Sequence, residues 1–334
     1  MKTLIALLAL GLALGAQAKT SVSVMNYNAE NFFDTRHDAG TEDYTYISLA
    51  EKKKIPGHAE ICQQMGSSFY IKECLNLDWN EARFMKKVEN VSRVVRSYDS
   101  TGAGPDILIL QEVENLNVLN ALAAKGLRNL GYTYQVLIDG DDSRGIDIGI
   151  MSKYPVIRAQ HHSIFVNGQK LDTRGITEVA INVEGRTVVV FGNHWPSQSN
   201  PAEDRIAAAQ LLTNLAASRN ADLIIATGDF NTVDSDRPYP FNYLNGFINA
   251  EAEARKINRN LNPGTHFYKG SWTSLDRMWI HRNSRLAPNF ATFQIMVRDF
   301  LMKREGQFMV PMRFNHASAT GFSDHLGIAM EFKL

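Results

Sequence analysis

Three short segments hold residue types that could do chemistry: Gln111-Glu112-Val113, Gly228-Asp229-Phe230-Asn231 and Ser323-Asp324-His325. Two follow apolar runs, Asp106 to Leu110 and Asp222 to Ala226, and the third opens the last apolar run from Leu326 onward. Carboxylates, an amide and an imidazole at several strand ends imply one polar crater assembled from distant parts of the chain. Oxygen donors suit a hard divalent cation that keeps several waters, and an imidazole moves protons near neutral pH. A metal-assisted phosphoester hydrolase is assembled in this way. Taken singly, Glu112 reads as a solvated strand end and Gly228 to Asn231 as an Asx turn. The coincidence of three such segments carries the reading.

The elements that must position these residues follow from periodicity. Ser21 to Tyr27 alternates polar and apolar and predicts a strand. Phe84, Val88, Val91, Val94 and Val95 recur at helical spacing and predict a helix over 81–98, with a strand at 106–110 after it. Residues 116–130 read as a helix, and 132–138 and 146–151 as strands around the turn-rich loop Asp139 to Gly145. A hairpin joins 177–183 to 187–191 across Glu184-Gly185-Arg186. An amphipathic helix over 204–218 and strands at 222–227, 278–280 and 326–332 complete the pattern. Residues 36–80 lack clean periodicity and read as an insertion. Adjacent strands mixed with strand–helix–strand units favour an α/β (α+β) fold: two packed mixed β-sheets flanked by helices, a four-layer sandwich.

The 334 residues carry 35 Lys and Arg against 35 Asp and Glu, a net charge of zero. Proteins that rely on non-specific DNA affinity show a basic surplus, so a nucleic-acid substrate has to be argued from the site. Lys2, an apolar run from Leu4 to Leu14, and Ala16-Gln17-Ala18 form a basic start, a core too short to span a bilayer and a cleavage site. They predict a signal peptide over 1–18, export to the periplasm or the exterior, and no transmembrane segment after cleavage. Length alone permits two domains, but large α/β sandwiches reach this size as one. The expectation is therefore one catalytic domain over 19–334. Cys62 and Cys74, in an exported chain, predict a disulfide.

Six blocks in order make the chain resemble the endonuclease/exonuclease/phosphatase superfamily, which includes pancreatic deoxyribonuclease, apurinic endonucleases, neutral sphingomyelinases and inositol polyphosphate 5-phosphatases. They are Tyr27 to Asp34, Gln111-Glu112-Val113, Asn193-His194-Trp195-Pro196-Ser197, Gly228 to Asn231, Leu275-Asp276-Arg277 and Ser323-Asp324-His325. The likeness runs from about residue 21 to 334, apart from 36–80. It implies a secreted, divalent-metal-dependent phosphodiesterase. The foremost reading is a nuclease acting on DNA, with RNA left open, by in-line water attack and no covalent intermediate. The ion implied is Mg²⁺, with Mn²⁺ or Ca²⁺ as substitutes. Glu112 would be the main metal ligand, supported by Asn28 and Asp324. Asp229 and Asn231 would orient the water or stabilise the transition state. His194 and His325 would hold phosphate oxygens and move protons, with Asp276 fixing the tautomer of His325.

Arg174 falls where relatives place a phosphate-binding side chain. One departure stands out: several nucleases carry a Tyr near the 146–151 strand, where this chain reads Arg144-Gly145-Ile146-Asp147. Either Asp147 orients His194 and Arg144 contacts phosphate, or both cap the loop. Trp195 and Trp272 either stack on substrate or belong to the core. Lys52-Lys53-Lys54 reads as a solvated helix face, and His161, His162 and His316 as surface or loop residues. The competing functions are a phosphatase or sphingomyelinase-like lipid phosphodiesterase of the same superfamily and, more remotely, a non-catalytic binding module. Every expected ligand position is filled, which argues against the last. No stable protein partner is implied.

Overall fold

The computed structural model describes residues 19–334, so the expected signal over 1–18 lies outside the described residues. Two six-stranded sheets form the body. One runs, in spatial order, Pro288–Ile295, Ile328–Lys333, Ser21–Phe32, Ile107–Val113, Asp147–Ser152, Tyr134–Val136. The other runs Phe247–Asn249, Asp276–His281, Leu223–Asp229, Arg186–His194, Ile176–Val183, Val156–His162. Both are mixed. Ser21–Phe32 is parallel to Ile107–Val113 and antiparallel to Ile328–Lys333. Leu223–Asp229 is parallel to Arg186–His194 and antiparallel to Asp276–His281.

Ile107–Val113 and Leu223–Asp229 are buried on both faces, which is why they begin as continuous apolar runs. Val24, Ile109, Val190, Ile225 and Met278 share one cluster that fills the space between the sheets. Phe84, Val88, Val91 and Val95, on the helix Glu81–Arg96, belong to the same cluster and cover the first sheet. Ala208, Leu212 and Ala216, on the helix Ala202–Ala217, cover the second with Phe191, Ile224 and Ala226. The layers are helix, sheet, sheet, helix, the four-layer sandwich expected from the sequence. The helix expected over 116–130 is shorter: an α-helix over Leu116–Ala121 runs into a π-turn over Leu122–Gly126. The strand expected at 132–138 is only Tyr134–Val136, at a sheet edge.

Residues 36–80 hold three short helices, Leu49–Lys52, His58–Gln63 and Ser68–Asn76. The Cys62–Cys74 disulfide joins the second to the third. Lys53 and Lys54 are solvated as expected, but Lys52 is buried. Its Nζ donates to the carbonyls of Cys74 and Leu77 at 2.6 and 2.7 Å. A helix leaves its last carbonyls without partners, and a lysine is a natural donor there. His316 is likewise no surface residue. It is buried, with its ring against Tyr46, Trp79 and Phe314. His161 and His162 are partly exposed on an edge strand, paired with Asp141 and Glu178.

Candidate active site

Asp229 has His194 as its register partner on one neighbouring strand and Asp276 on the other. One rung across three adjacent strands thus carries an imidazole and two carboxylates. The turn into this rung depends on Gly228. A Cβ there would stand 1.9 Å from the carbonyl oxygen of Asn193, so a side chain would force the two strands apart.

On the facing sheet the register breaks between Asn28 and Phe32 and between Gln111 and Val113. Glu30, Asn31 and Glu112 lie there with φ of 54°, 53° and 61°. Bulges re-aim side chains, and strained backbone of this kind persists where its surroundings over-determine it. Glu112 is thereby turned toward the rung. Its Oε2 accepts the Asn31 N–H at 2.8 Å, while its Oε1 faces Asn28 Nδ2 at 3.3 Å and His194 Nε2 at 4.0 Å. Its side chain is 19% exposed, against 3% for Asp229 and none for Asp276, so Glu112 is the most open acid of this set.

Asp229 is the hub. Its Oδ1 accepts the Asn231 N–H at 2.8 Å and its Oδ2 accepts Asn28 Nδ2 at 3.2 Å. The same Oδ2 lies 3.7 Å from His194 Nε2 and 3.8 Å from His325 Nε2. Burial pushes the Asp229 carboxyl up to about 6. His325 hands its Nδ1 to Asp276 Oδ2 at 2.7 Å. Burial disfavours a charge on His325, but Asp276, Asp229 and Asp324 outweigh it and raise its pKa well above the ordinary histidine range. His194 goes the other way: burial first, then Arg174, Arg144 and His325, hold it well below that range. The two imidazoles are thus driven apart, His325 toward its charged form and His194 toward its neutral one.

Three residues outside the expected set support this arrangement. Gln111 Nε2 donates to Asn26 Oδ1 at 2.7 Å, and Asn26 Nδ2 faces Asp276 Oδ1 at 3.4 Å, a polar chain crossing from one sheet to the other. Ser323 Oγ donates to the carbonyl of Asn28 at 2.8 Å and accepts the His325 N–H at 3.0 Å. Asn26 and Gln111 are both fully buried, and nothing in the sequence sets them apart from the other polar residues of their strands.

The remaining candidates divide. Asp324 lies near His325 and His266, the ligand atoms of the three all within 4.8 Å of one another. Asn28 presents its amide nitrogen to Glu112 and Asp229, while its Oδ1 accepts the Glu30 N–H at 3.0 Å, so in this geometry it orients the two carboxylates. Asn231 Nδ2 donates to the carbonyl of Trp195 at 3.0 Å. Arg174 is buried, with Nη1 on Asp142 at 2.9 Å and Nη2 on the Trp195 carbonyl at 2.9 Å, while its Nε has no partner among the described residues. Arg144, on the same Asp142, is half-exposed and is the more open cation. Asp147 does not orient His194. Its Oδ1 accepts the Gly140 N–H at 2.8 Å, which caps the loop, and His194 Nδ1 has no partner among the described residues. Trp195 is core, edge-on to Phe230 with centroids 4.7 Å apart, and Trp272 is half-buried against Phe267.

Carboxylate and amide oxygens beside imidazoles form a donor set that fits a hard divalent cation. Glu112, with one oxygen turned to the crevice, would hold it, and Asp324 and a turned Asn28 amide are the other oxygen donors at hand.

A family model described as the endonuclease/exonuclease/phosphatase family matches residues 70–333. No curated protein matches the chain. Among solved structures it is similar to truncated TDP2 of Caenorhabditis elegans, with 15% identity and a TM-score of 0.52 over 94% of this chain and 98% of that one. It is similar to D. rerio TDP2 complexed with single strand DNA product, with 12% identity and a TM-score of 0.55 over 95% and 100%. It is also similar to sphingomyelinase C from Streptomyces griseocarneus, with 14% identity and a TM-score of 0.52 over 94% and 99%. At these identities the likeness to the solved structures is one of fold.

Proposed function

The chain belongs to the endonuclease/exonuclease/phosphatase family of metal-dependent phosphoester hydrolases, and from that premise we propose that it is a nuclease hydrolysing DNA phosphodiester bonds by in-line attack of water. The observation that carries this reading is the Asp276–His325 pair facing Asp229, with His194 on the far side and Glu112 alongside.

Glu112 would hold a divalent cation, foremost Mg²⁺, which when bound would supply Lewis-acid polarisation of the phosphoryl oxygen. The protein groups do the rest. Asp229, with a carboxyl near 6, is ionised at neutral pH and accepts a proton from the attacking water. The Asn231 N–H and the Asn28 amide fix its orientation. His325, charged through Asp276, stabilises a non-bridging oxygen as charge develops. Neutral His194 offers a second hydrogen bond, and Arg144 at the rim meets a flanking phosphate.

DNA as the polymer is supported by the D. rerio relative, whose structure holds single strand DNA product. The balanced charge argues against tight, processive duplex binding. One feature favours a lipid head group instead. Phe69 and Tyr70, ring centroids 5.4 Å apart, are 67% and 58% exposed on the inserted segment, as an interfacial enzyme would need. We also read residues 19–334 as one catalytic domain, exported on the strength of Lys2, the apolar 4–14 run and Ala16-Gln17-Ala18. Among the described residues no helix is long and apolar enough to cross a membrane.

The deciding experiment offers the purified protein with Mg²⁺ closed circular plasmid, RNA, sphingomyelin and a phosphomonoester side by side. Opening of the plasmid is expected and would mark endonucleolytic cutting. Hydrolysis of sphingomyelin alone would replace the nuclease reading. N-terminal sequencing of the exported protein should begin at Lys19, and retention of Met1 would remove the export reading.

A further inference from the structure

The inserted segment 36–80 is fastened to both rims of the crevice. On one side the Glu42 N–H donates to the carbonyl of Ser143 at 2.8 Å, and Thr41 packs so closely on Gly145 that a Cβ there would meet its methyl at 2.8 Å. Ser143 and Gly145 are the chain neighbours of Arg144. On the other side the Trp79 indole donates to the Asp34 carbonyl at 2.6 Å, and Glu73 lies 3.4 Å from Nδ1 of the buried His316.

Tyr46 lies between these two fastenings. Its ring stacks flat on Phe33, with centroids 4.2 Å apart and planes 7° from parallel. Phe33 stands two residues beyond Asn31, whose N–H holds Glu112. The Trp79 and His316 rings meet the Tyr46 ring at 6.1 and 5.2 Å, both near edge-on. The ring is thus fixed from several sides, yet the residue stays half-buried, and its hydroxyl takes no part in the hydrogen bonds of the described residues. Burial, followed by the charges of Glu73, Glu112 and Glu30, pushes the phenol well above its ordinary range, against Arg144. A phenol keeps its proton at neutral pH even without such a shift. Through Phe33 the ring abuts the bulge whose Asn31 N–H holds Glu112, and through Thr41 and Glu42 its segment abuts the loop that carries Arg144.

We propose that Tyr46 is a substrate-contacting residue whose hydroxyl donates a hydrogen bond to a non-bridging phosphate oxygen held beside Arg144 and Glu112. Ionised phosphate oxygens accept hydrogen bonds, and a protonated phenol on a fixed ring donates one at little entropic cost. The inserted segment thereby becomes one wall of the substrate crevice. The inference rests on the phosphoester-hydrolase reading of the site and deepens it.

The test is Tyr46→Phe, which keeps the stack on Phe33 and removes only the hydroxyl. With Mg²⁺ present, kcat/KM on a phosphodiester should fall about 10-fold or more, the scale of a hydrogen bond to a charged group. The calorimetric affinity for inorganic phosphate should fall with it, while the melting temperature stays that of the wild type. Unchanged kcat/KM and phosphate affinity would overturn the inference. So would an activity loss that tracks a lower melting temperature with phosphate affinity intact, because the hydroxyl would then be structural. Should the wild type hydrolyse no phosphoester, the family-level reading fails on its own, and the phosphate titration still decides on Tyr46.

Discussion

The carboxylate of Asp276 stands 2.7 Å from Nδ1 of His325 and is wholly closed to solvent. With Nδ1 held there, Nε2 is turned toward Asp229, 3.8 Å away. An acid behind an imidazole fixes the tautomer and stabilises the imidazolium. Asp276→Asn should lower turnover by about 100-fold or more and leave metal affinity near that of the wild type. His325→Ala should be at least as damaging, and the double variant little worse than His325→Ala alone, because groups acting as a unit are not additive. A double-mutant cycle on turnover checks this. Fully multiplicative losses would separate the two residues.

Glu112 is more open than the acids of the rung, Asp229 and Asp276, and one of its oxygens is already fixed by the Asn31 N–H. Chelator should abolish hydrolysis and added Mg²⁺ restore it. Glu112→Gln keeps the shape and removes the charge. It should cost about 100-fold in activity and weaken Mg²⁺ binding measured by calorimetry. Full activity in chelator would remove the metal from the mechanism.

The groups that could be read from the sequence were those at the ends of apolar strands. His194, Asp229, Asp276 and His325 follow or open such runs, and a strand end in a sandwich has few places to point but the crevice. The polar chain from Gln111 through Asn26 to Asp276 was not legible, since it exists only because the two sheets face each other. Arg174 and Asp147 show a different limit. Their types suit phosphate and histidine, but Asp142 and the Gly140 N–H reach them first. Lys52 read as solvated because nothing nearby in sequence announces that the helix Ser68–Asn76 ends against it. Loop conformation and contacts between distant segments decided these cases, and neither leaves a periodic trace.

Glu178 offers a test of the electrostatics away from the site. Arg219 grips it through Nε at 2.6 Å and Nη2 at 2.7 Å, His162 Nε2 lies 2.9 Å away, and Arg158 also pairs with it. Burial alone would raise this carboxyl, but Arg219, His162 and Arg158 outweigh it and bring it down to about 2. A folded-state pKa below the unfolded value of about 4.3 adds stability above that value, and the gain is lost as pH falls toward about 2. Glu178→Gln should therefore destabilise by on the order of 3 kcal/mol at pH 7. Urea denaturation at pH 7 and at about pH 3 should show the gap shrinking in acid. An equal gap at both would mean that the carboxylate's charge is not what the arginines stabilise.

The Cys62–Cys74 bridge ties the helix His58–Gln63 to Ser68–Asn76, and Lys52 caps the second from below. Together they form the unit that carries Glu73 against His316, beside the ring of Tyr46. The bridged residues are 12 apart, and closing a loop of that length stabilises by about 3 kcal/mol in the chain-entropy model. None of the residues on the Asp229 rung lies in this segment, so its loss should loosen the wall and spare the centre. In Cys62→Ala/Cys74→Ala, hydrogen exchange should quicken across 36–80 while the strands Leu223–Asp229 and Asp276–His281 keep their protection. If that wall carries a substrate contact, KM should rise more than kcat falls. Faster exchange spread evenly over both sheets would show that the segment folds as part of the catalytic body. A kcat loss with KM unchanged would show that the wall acts on the chemistry and not on the binding of substrate.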